Sequence, residues 1–530
     1  MIVLLVTCST GLFLGLRYYN IVVVISVGFV TIACGSAALM HGQEVSGAVV
    51  GIAMAVISLQ GGYLIGVIGR EVWASAIAAS RSNGWHTRVA RTIRRPWRDV
   101  LRDPTIRSRN VDILAAMTAA ALPWSTTAAA VLMALWLVAL GPTIDWREFR
   151  DGLTHPASAL PLAFVALATV GILWSDGSWS ASLHGLKPVA KLLVIPFMLY
   201  HFQRSRHGPR HGTWVFVAFL TSCTLLMLLS WVVVFVPALK IAATASDGVP
   251  VKNYIDQSQE FALCAFALAL PALRSFRERR WVPAIGYLAL IMAFVVNMLF
   301  VVSARTALLY MPVLLVVFAA RHLNRRAMLA LLAGATVAAV LVWSTSPYLR
   351  QRIADIGSEY RAYETESDTS ASTALRLEFW HKSITFFAEA PLAGHGTGSI
   401  RQLFERDAVG RTGLDAAVIG NPHNQTFNVL VQWGLVGGVV LYAMWLSHLL
   451  LFRRDDLAAW VGLATVVQNV VSSLLNSHLF DFHEGWMYVL GVGVAGGMAL
   501  AKTARREQPD DAPRPWLGIN SHRPDSAFQP

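Results

Sequence analysis

Charge is scarce in this chain: only 14% of its 530 residues are charged, against 55% that are hydrophobic. A soluble domain carries about 25% charged residues, so the deficit excludes an ordinary soluble protein and points to one embedded in a membrane. Cysteine is scarce too. The four present, Cys8, Cys34, Cys223 and Cys264, lie in or beside apolar runs with no metal-ligand spacing, which excludes a disulfide framework or a structural zinc site. The short alternating segments of an outer-membrane barrel are missing; the apolar runs are instead about 17–25 residues long, the length of a membrane-crossing helix. Acids are outnumbered, 31 to 43, giving a net charge of +12. The basic residues form short clusters between apolar runs and no single stripe, a pattern that orients a membrane protein and does not predict nucleic-acid binding.

These runs divide the chain. Residues 1–70 read as an N-terminal membrane module of 2–3 spans, with Ile21–Met40 and Val45–Gly69 at span length and Ile2–Leu16 a shorter third. The N-terminus is apolar from residue 2, with no basic leader region, and reads as a retained membrane segment. Residues 71–110 form an arginine-rich linker suited to anionic lipid at a cytoplasmic surface. Residues 111–501 hold about twelve further apolar runs, the first two forming a hairpin around Leu122-Pro123-Trp124. Residues 502–530, rich in Pro, Asp and Ser, read as a disordered cytoplasmic tail. With the arginine clusters inside, the long polar loop 346–426 lies on the opposite, periplasmic side, away from nucleotide sugars.

Three residues on that side are candidates for chemistry. Arg305, in Val301-Val-Ser-Ala-Arg-Thr-Ala307, stands between two apolar runs. An arginine at a helix centre costs about 2.5–3.5 kcal/mol on insertion scales, so it is expected to face a cavity or an anion; the plainer reading is snorkelling to the interface. Arg376 precedes Trp380 on a short amphipathic helix whose Leu375, Phe379, Trp380 and Phe386 can dip into the membrane surface, leaving the guanidinium to contact phosphate. Its alternative is an ion pair with Glu378 or Glu389. His423 lies in Gly420-Asn-Pro-His-Asn-Gln-Thr426, where the loop returns to the membrane. Histidine exchanges its proton near neutral pH and suits a general base; the alternative is a cap on the next helix. Asn424 and Trp380 are the accompanying candidates for substrate binding. Gly394-His-Gly-Thr-Gly398 lacks the Lys-Ser/Thr pair of a phosphate loop and reads as a tight turn. The His478, Asp481, His483 and Glu484 group reads as a polar interfacial loop, with a divalent metal site as the minor alternative; no metal and no cofactor are expected.

Arg305 in Ser-Ala-Arg-Thr, Arg376 before Trp380, the Pro391-Leu-Ala-Gly-His-Gly-Thr-Gly398 turn and Pro422-His-Asn424 occur in that order, with a large outer loop before the last three apolar runs. Together they resemble the O-antigen ligase/polymerase superfamily over roughly residues 111–501. The resemblance implies an all-α polytopic bundle of the GT-C type in a bacterial inner membrane, with its active site on the periplasmic face. It also implies a metal-independent, inverting glycosyltransferase. Such an enzyme takes a glycan from undecaprenyl diphosphate and passes it to an acceptor hydroxyl on lipid A-core, in lipopolysaccharide biosynthesis. Arg305, Arg376 and His423 occupy the family's functional positions. A polymerase of O-antigen or exopolysaccharide repeats uses the same donor and stays open, and polysaccharide-assembly proteins are the expected partners. The extra N-terminal module and His395 within the glycine turn depart from the family pattern. A transporter is the reading from another class. It calls for internal repeats and charges within the bundle, whereas the titratable residues here gather in outer loops.

Overall fold

The computed structural model describes residues 104–507, apart from 205–207, 243, 245–247, 302–303, 305, 346–349, 352–353 and 355–371. The N-terminal module and almost all of the linker lie outside the described residues, as does the tail from 508 onward. Every regular element described is helical. In order these are α1 (Pro104–Ala121), α2 (Thr126–Leu140), α3 (Trp146–Gly152), α4 (Pro156–Val170), α5 (Trp179–Ala190), α6 (Val194–Arg204), α7 (Gly208–Phe235) and α8 (Tyr254–Arg277). Then come α9 (Trp281–Phe300), α10 (Ala307–His322), α11 (Arg325–Thr345), α12 (Ser372–Glu389), α13 (Ile400–Asp407), α14 (Gln425–Leu451), α15 (Leu457–Ser472) and α16 (Phe482–Glu507). The chain divides into two compact units, one comprising residues up to Val111 with Leu225–Tyr254, the other Asp112–Thr224 with Ile255 onward.

Each of the twelve apolar runs falls on a helix, but not each helix is long and apolar enough to cross a membrane. Among the described residues seven are, or eight if α3 and α4, bent by 89°, count as one span. Helices α10 and α15 are apolar but only 16 residues long, and α8 opens on the polar run Asp256-Gln-Ser-Gln-Glu260. The starts follow capping chemistry: Ser125 on α2 and Asp456 on α15 each accept a backbone N–H of the first turn.

In the second unit α6 and α16 run side by side and approach closely through glycines. A methyl at Gly493, Gly496 or Gly497 would strike Met198, Leu199 or Phe202, the small-residue contact by which helices associate in lipid. At the far end of this unit the arginine clusters meet. Arg277 donates to the His322 carbonyl at 2.6 Å, Arg274 to Asp455 at 3.1 Å, and Arg321 to Phe452 and Arg454 at 2.7 and 2.5 Å. In the first unit, the chain after α7 folds back through Ile241 and Ala242, which donate to Pro250 at 2.8 and 3.1 Å.

Helix α14 is broken. Gly434 has φ +58° and ψ −154°, and the break frees two backbone pairs that an unbroken helix would close. Val431 and Gln432 carbonyls instead accept the His395 and Gly396 amides at 2.9 and 2.8 Å. The Leu435 and Val436 amides donate to Pro391 and Leu392 at 2.8 and 3.2 Å. The glycine turn therefore repairs the helix, as any break at membrane depth requires. All five amides from Gly394 to Gly398 donate to protein acceptors, so none remains to cradle a phosphate. His395, the departure from the family pattern, donates from Nε2 to the Phe386 carbonyl at 2.7 Å and anchors the turn to α12.

The loop between α11 and α14 has a core of its own. Phe379 and Phe386 of α12 pack with Ile400, Leu403 and Phe404 of α13 and with Val431 of α14. The apolar side expected to dip into the membrane surface is thus covered by protein at Phe379 and Phe386. Lys382 is buried here, 2.8 Å from Asp407 and bonded to the Asp415 carbonyl. Burial, with Asp415 alongside, raises the carboxyl pKa of Glu378 above its ordinary value.

Ala at Gly434 or Gly394 should cost at least about 1–3 kcal/mol, the price of a left-handed backbone, because each added methyl also meets backbone of the other segment. The thermal midpoint in detergent should fall, while Gly286→Ala, which has open space around it, should leave it in place. A carboxyl whose pKa is raised on folding favours the folded state at low pH and loses that advantage as pH rises through the raised value. Glu378→Gln should therefore match wild type near pH 4 and melt at a higher temperature than wild type at pH 7–8. Equal midpoints across this range would remove the assignment.

Candidate functional site

The starts of α8, α10, α14 and α16 and the end of α15 come together at one end of the second unit. The ties are Ala304 N–H to Ser258 Oγ (3.0 Å), Gln425 N–H to the Ser473 carbonyl (3.0 Å), Gln468 Nε2 to the Gln259 carbonyl (2.7 Å) and His483 Nδ1 with Asp256 Oδ2 (3.0 Å). His423 enters this end in the turn before α14.

Its backbone is left-handed, φ +54°, where a non-glycine residue costs about 1–2 kcal/mol. The turn is fastened on several sides. The His423 amide donates to Asn421 Oδ1 at 3.0 Å, and the same oxygen accepts Ser477 Oγ–H at 2.7 Å. Trp380 Nε1 donates to the Pro422 carbonyl at 3.1 Å and its ring leans on Phe427. The imidazole lies along Phe379, with ring centres 6.4 Å apart at 29°.

The ring's hydrogen bonds set its tautomer. His423 Nδ1 is 2.8 Å from Asn476 Oδ1, and Asn476 Nδ2 donates to Asp481 Oδ2 at 3.0 Å. An ionised carboxylate can only accept, so the amide turns its NH₂ to Asp481 and its oxygen to the imidazole. Nδ1 then carries the proton and Nε2 keeps its lone pair. Among the described residues, no side chain hydrogen-bonds to Nε2. Below, Lys191 Nζ is buried and donates to the carbonyls of Phe480 (3.0 Å) and Asp481, fixing the loop that carries Asn476 and Asp481. The arrangement can take a proton from a hydroxyl placed at Nε2.

Of the other candidates, all but Arg305 fall among the described residues. Arg376 is half-buried on α12, one turn before Trp380 and on the same flank. The two acids weighed as its partners stand near other cations, Glu389 2.9 Å from Arg406 and Glu378 4.0 Å from Lys382. Arg305 lies outside the described residues; its neighbours Ala304 and Thr306 are buried at the same end as His423. Asn424, not His423, caps α14: its Oδ1 accepts Phe427 N–H at 3.1 Å and its Nδ2 donates to Leu474 at 2.9 Å. Both ends of that amide are thus engaged within the chain. Phe404 is fully buried in the loop core.

Sequence reasoning missed Asn421, Asn476 and Ser477. The one signal for the last two was their place, Asn-Ser at the head of the polar stretch between the last two apolar runs. Of the His478 group, His478, Asp481 and Glu484 bring one ligating atom each within 4.8 Å of one another, while His483 turns to Asp256 and the Leu122 carbonyl.

No curated protein matches the chain. A family model does match, over residues 288–442, and its description is O-antigen ligase. That span holds Arg305, Arg376, the glycine turn, His423 and the break in α14, and leaves out Asn476, Asp481 and Lys191. The order of motifs and the matched segment agree: residues 288–442 of this chain are similar to the O-antigen ligase family, which supports the superfamily resemblance.

Proposed function

We propose that the protein is an O-antigen ligase-type glycosyltransferase, which moves a glycan from a polyprenyl-diphosphate donor, in bacteria undecaprenyl diphosphate, to a hydroxyl of lipid A-core. The observation that carries the reading is the oriented imidazole of His423. Its Nδ1 is held by Asn476 while Nε2 is left to accept a proton, in a segment matching the O-antigen ligase family.

In the step we propose, Nε2 of His423 takes the proton of the acceptor hydroxyl as the oxygen attacks the anomeric carbon. The bond from that carbon to the diphosphate oxygen breaks, and its electron pair leaves with the diphosphate. A single displacement inverts the anomeric centre. The donor carries its own leaving group, so the step calls on no nucleotide. Arg305 and Arg376 would stabilise the charge that grows on the diphosphate, a role in which positioned cations act most strongly away from water. Trp380 would line the donor side of the turn, and Asn424 would serve by holding the start of α14 under His423. The active site would lie on the periplasmic face of the inner membrane, opposite the arginine clusters. The full count of about twelve spans, with the N-terminal module as an addition of this subfamily, belongs to the same proposal.

General-base help is worth about 10²–10⁴-fold, so His423→Ala should abolish detectable transfer with expression and membrane insertion intact. In a deletion strain complemented with His423→Ala, long chains should remain on the polyprenyl diphosphate and lipid A-core should stay bare. Single repeats accumulating with no long chains would identify a polymerase instead, and unchanged glycans would exclude the transfer reading. A charge-preserving Arg305→Lys should still lose activity, because lysine lacks the planar two-pronged donor; full activity would rule out bidentate contact with the diphosphate.

A further inference from the structure

Behind His423, Asp481, which orients Asn476, converges with two side chains that the transfer step does not use. His478 Nδ1 is 3.2 Å from Asp481 Oδ2 and 3.6 Å from Glu484 Oε1. His478 is 0% exposed and Glu484 5%. Among the described residues, neither His478 nitrogen has a hydrogen-bond partner, nor does Glu484 Oε1, although the Glu484 carboxyl also meets Asp256. Buried polar atoms left in this condition are costly, of the order of 1–3 kcal/mol each, and call for a ligand to meet them.

A cation bound at about 2.0–2.2 Å by nitrogen and oxygen places neighbouring ligand atoms roughly 3.0–3.6 Å apart; both separations from His478 Nδ1 fall in that range, and the three ligand atoms all lie within 4.8 Å of one another. The residues follow one another at 478, 481 and 484, across the turn that starts α16, so the local backbone alone brings them together. Asp256 faces Glu484 from α8 and is itself paired with His483 at 3.0 Å, while the Lys191 ammonium donates to the Asp481 carbonyl. The Asp481 side chain is 33% exposed, which gives an ion a way in.

We infer that His478, Asp481 and Glu484 form a binding site for one divalent cation of the zinc or manganese type, the metals suited to one imidazole with two carboxylates. The cation is a positioning element and touches no substrate. Asp481 Oδ2 also accepts from Asn476 Nδ2, and Asn476 accepts from His423, so a cation fixing Asp481 fixes the far end of the chain that orients the imidazole, as outer-shell carboxylates do at other metal sites. Binding is read on the protein itself, so the inference stands or falls separately from the transfer reading.

The test is metal binding by the full-length, tag-free protein in detergent, stripped with chelator and titrated with Mn²⁺ under electron paramagnetic resonance, with Zn²⁺ content measured in parallel. Wild type should bind one cation per chain, with a raised thermal midpoint on adding Zn²⁺ or Mn²⁺. Glu484→Gln and His478→Gln should each weaken binding by about tenfold or more. Two substitutions are used so that misfolding of one leaves the other to decide. A stripped wild type that neither binds either ion nor changes its midpoint would overturn the site. Wild-type affinity in both folded variants would overturn it as well.

Discussion

The break at Gly434 is the constraint on which the rest of the site depends. It releases two carbonyls and two amides within a helix long and apolar enough to cross a membrane, where no water can serve them. Residues 391–396 supply all four partners. That exchange fixes the glycine turn against α14, and the turn in turn fixes α12 through His395 and the loop core. Because α12 carries Trp380 and Arg376, the break at mid-helix determines what stands beside the turn that holds His423. The left-handed glycines on both sides are the only residues that allow the two backbones to come so close.

A second theme is the cost accepted at the polar end of the unit. His423 sits in a conformation that a histidine seldom adopts, and Gln425 and Asn469 are buried beside it with amide groups unpaired among the described atoms. A site meant only to hold the fold together gains nothing from such strain; a site that must aim one nitrogen does. Lys191, Asp481 and Asn476 form the supporting layer, and they come from segments remote in sequence from His423 and outside the matched family segment. The family match and the supporting layer are therefore independent observations that meet on one imidazole.

Much of this was legible in the sequence, for reasons that differ from part to part. The helical class followed from run length, and each apolar run among the described residues fell on a helix. The number able to cross a membrane did not follow, since α10 and α15 are short and α8 buries the polar run that opens it. The glycine turn was recognisable as a turn, yet its purpose was hidden because Gly434, within Trp-Gly-Leu-Val-Gly-Gly, reads as a glycine tolerated in an apolar helix. The amphipathic pattern of α12 announced a covered face without saying that α13, in place of lipid, covers part of it. His423 stood out by its place at the loop's return. Asn476, 53 residues later, carries no local pattern that would pair it with an imidazole; only the fold brings them together.

The central claim is that Asn476 holds His423 with Nε2 free to take a proton. The most direct test is the transfer rate of purified Asn476→Leu with a polyprenyl-diphosphate glycan and its acceptor, alongside a thermal melt to establish that the variant is folded. Leucine has about the size of asparagine but cannot accept from Nδ1, so the tautomer is no longer fixed. The account predicts that kcat falls by about 10²-fold or more, the scale of general-base catalysis, in a protein that still melts cooperatively. A folded Asn476→Leu enzyme with wild-type kcat would contradict it.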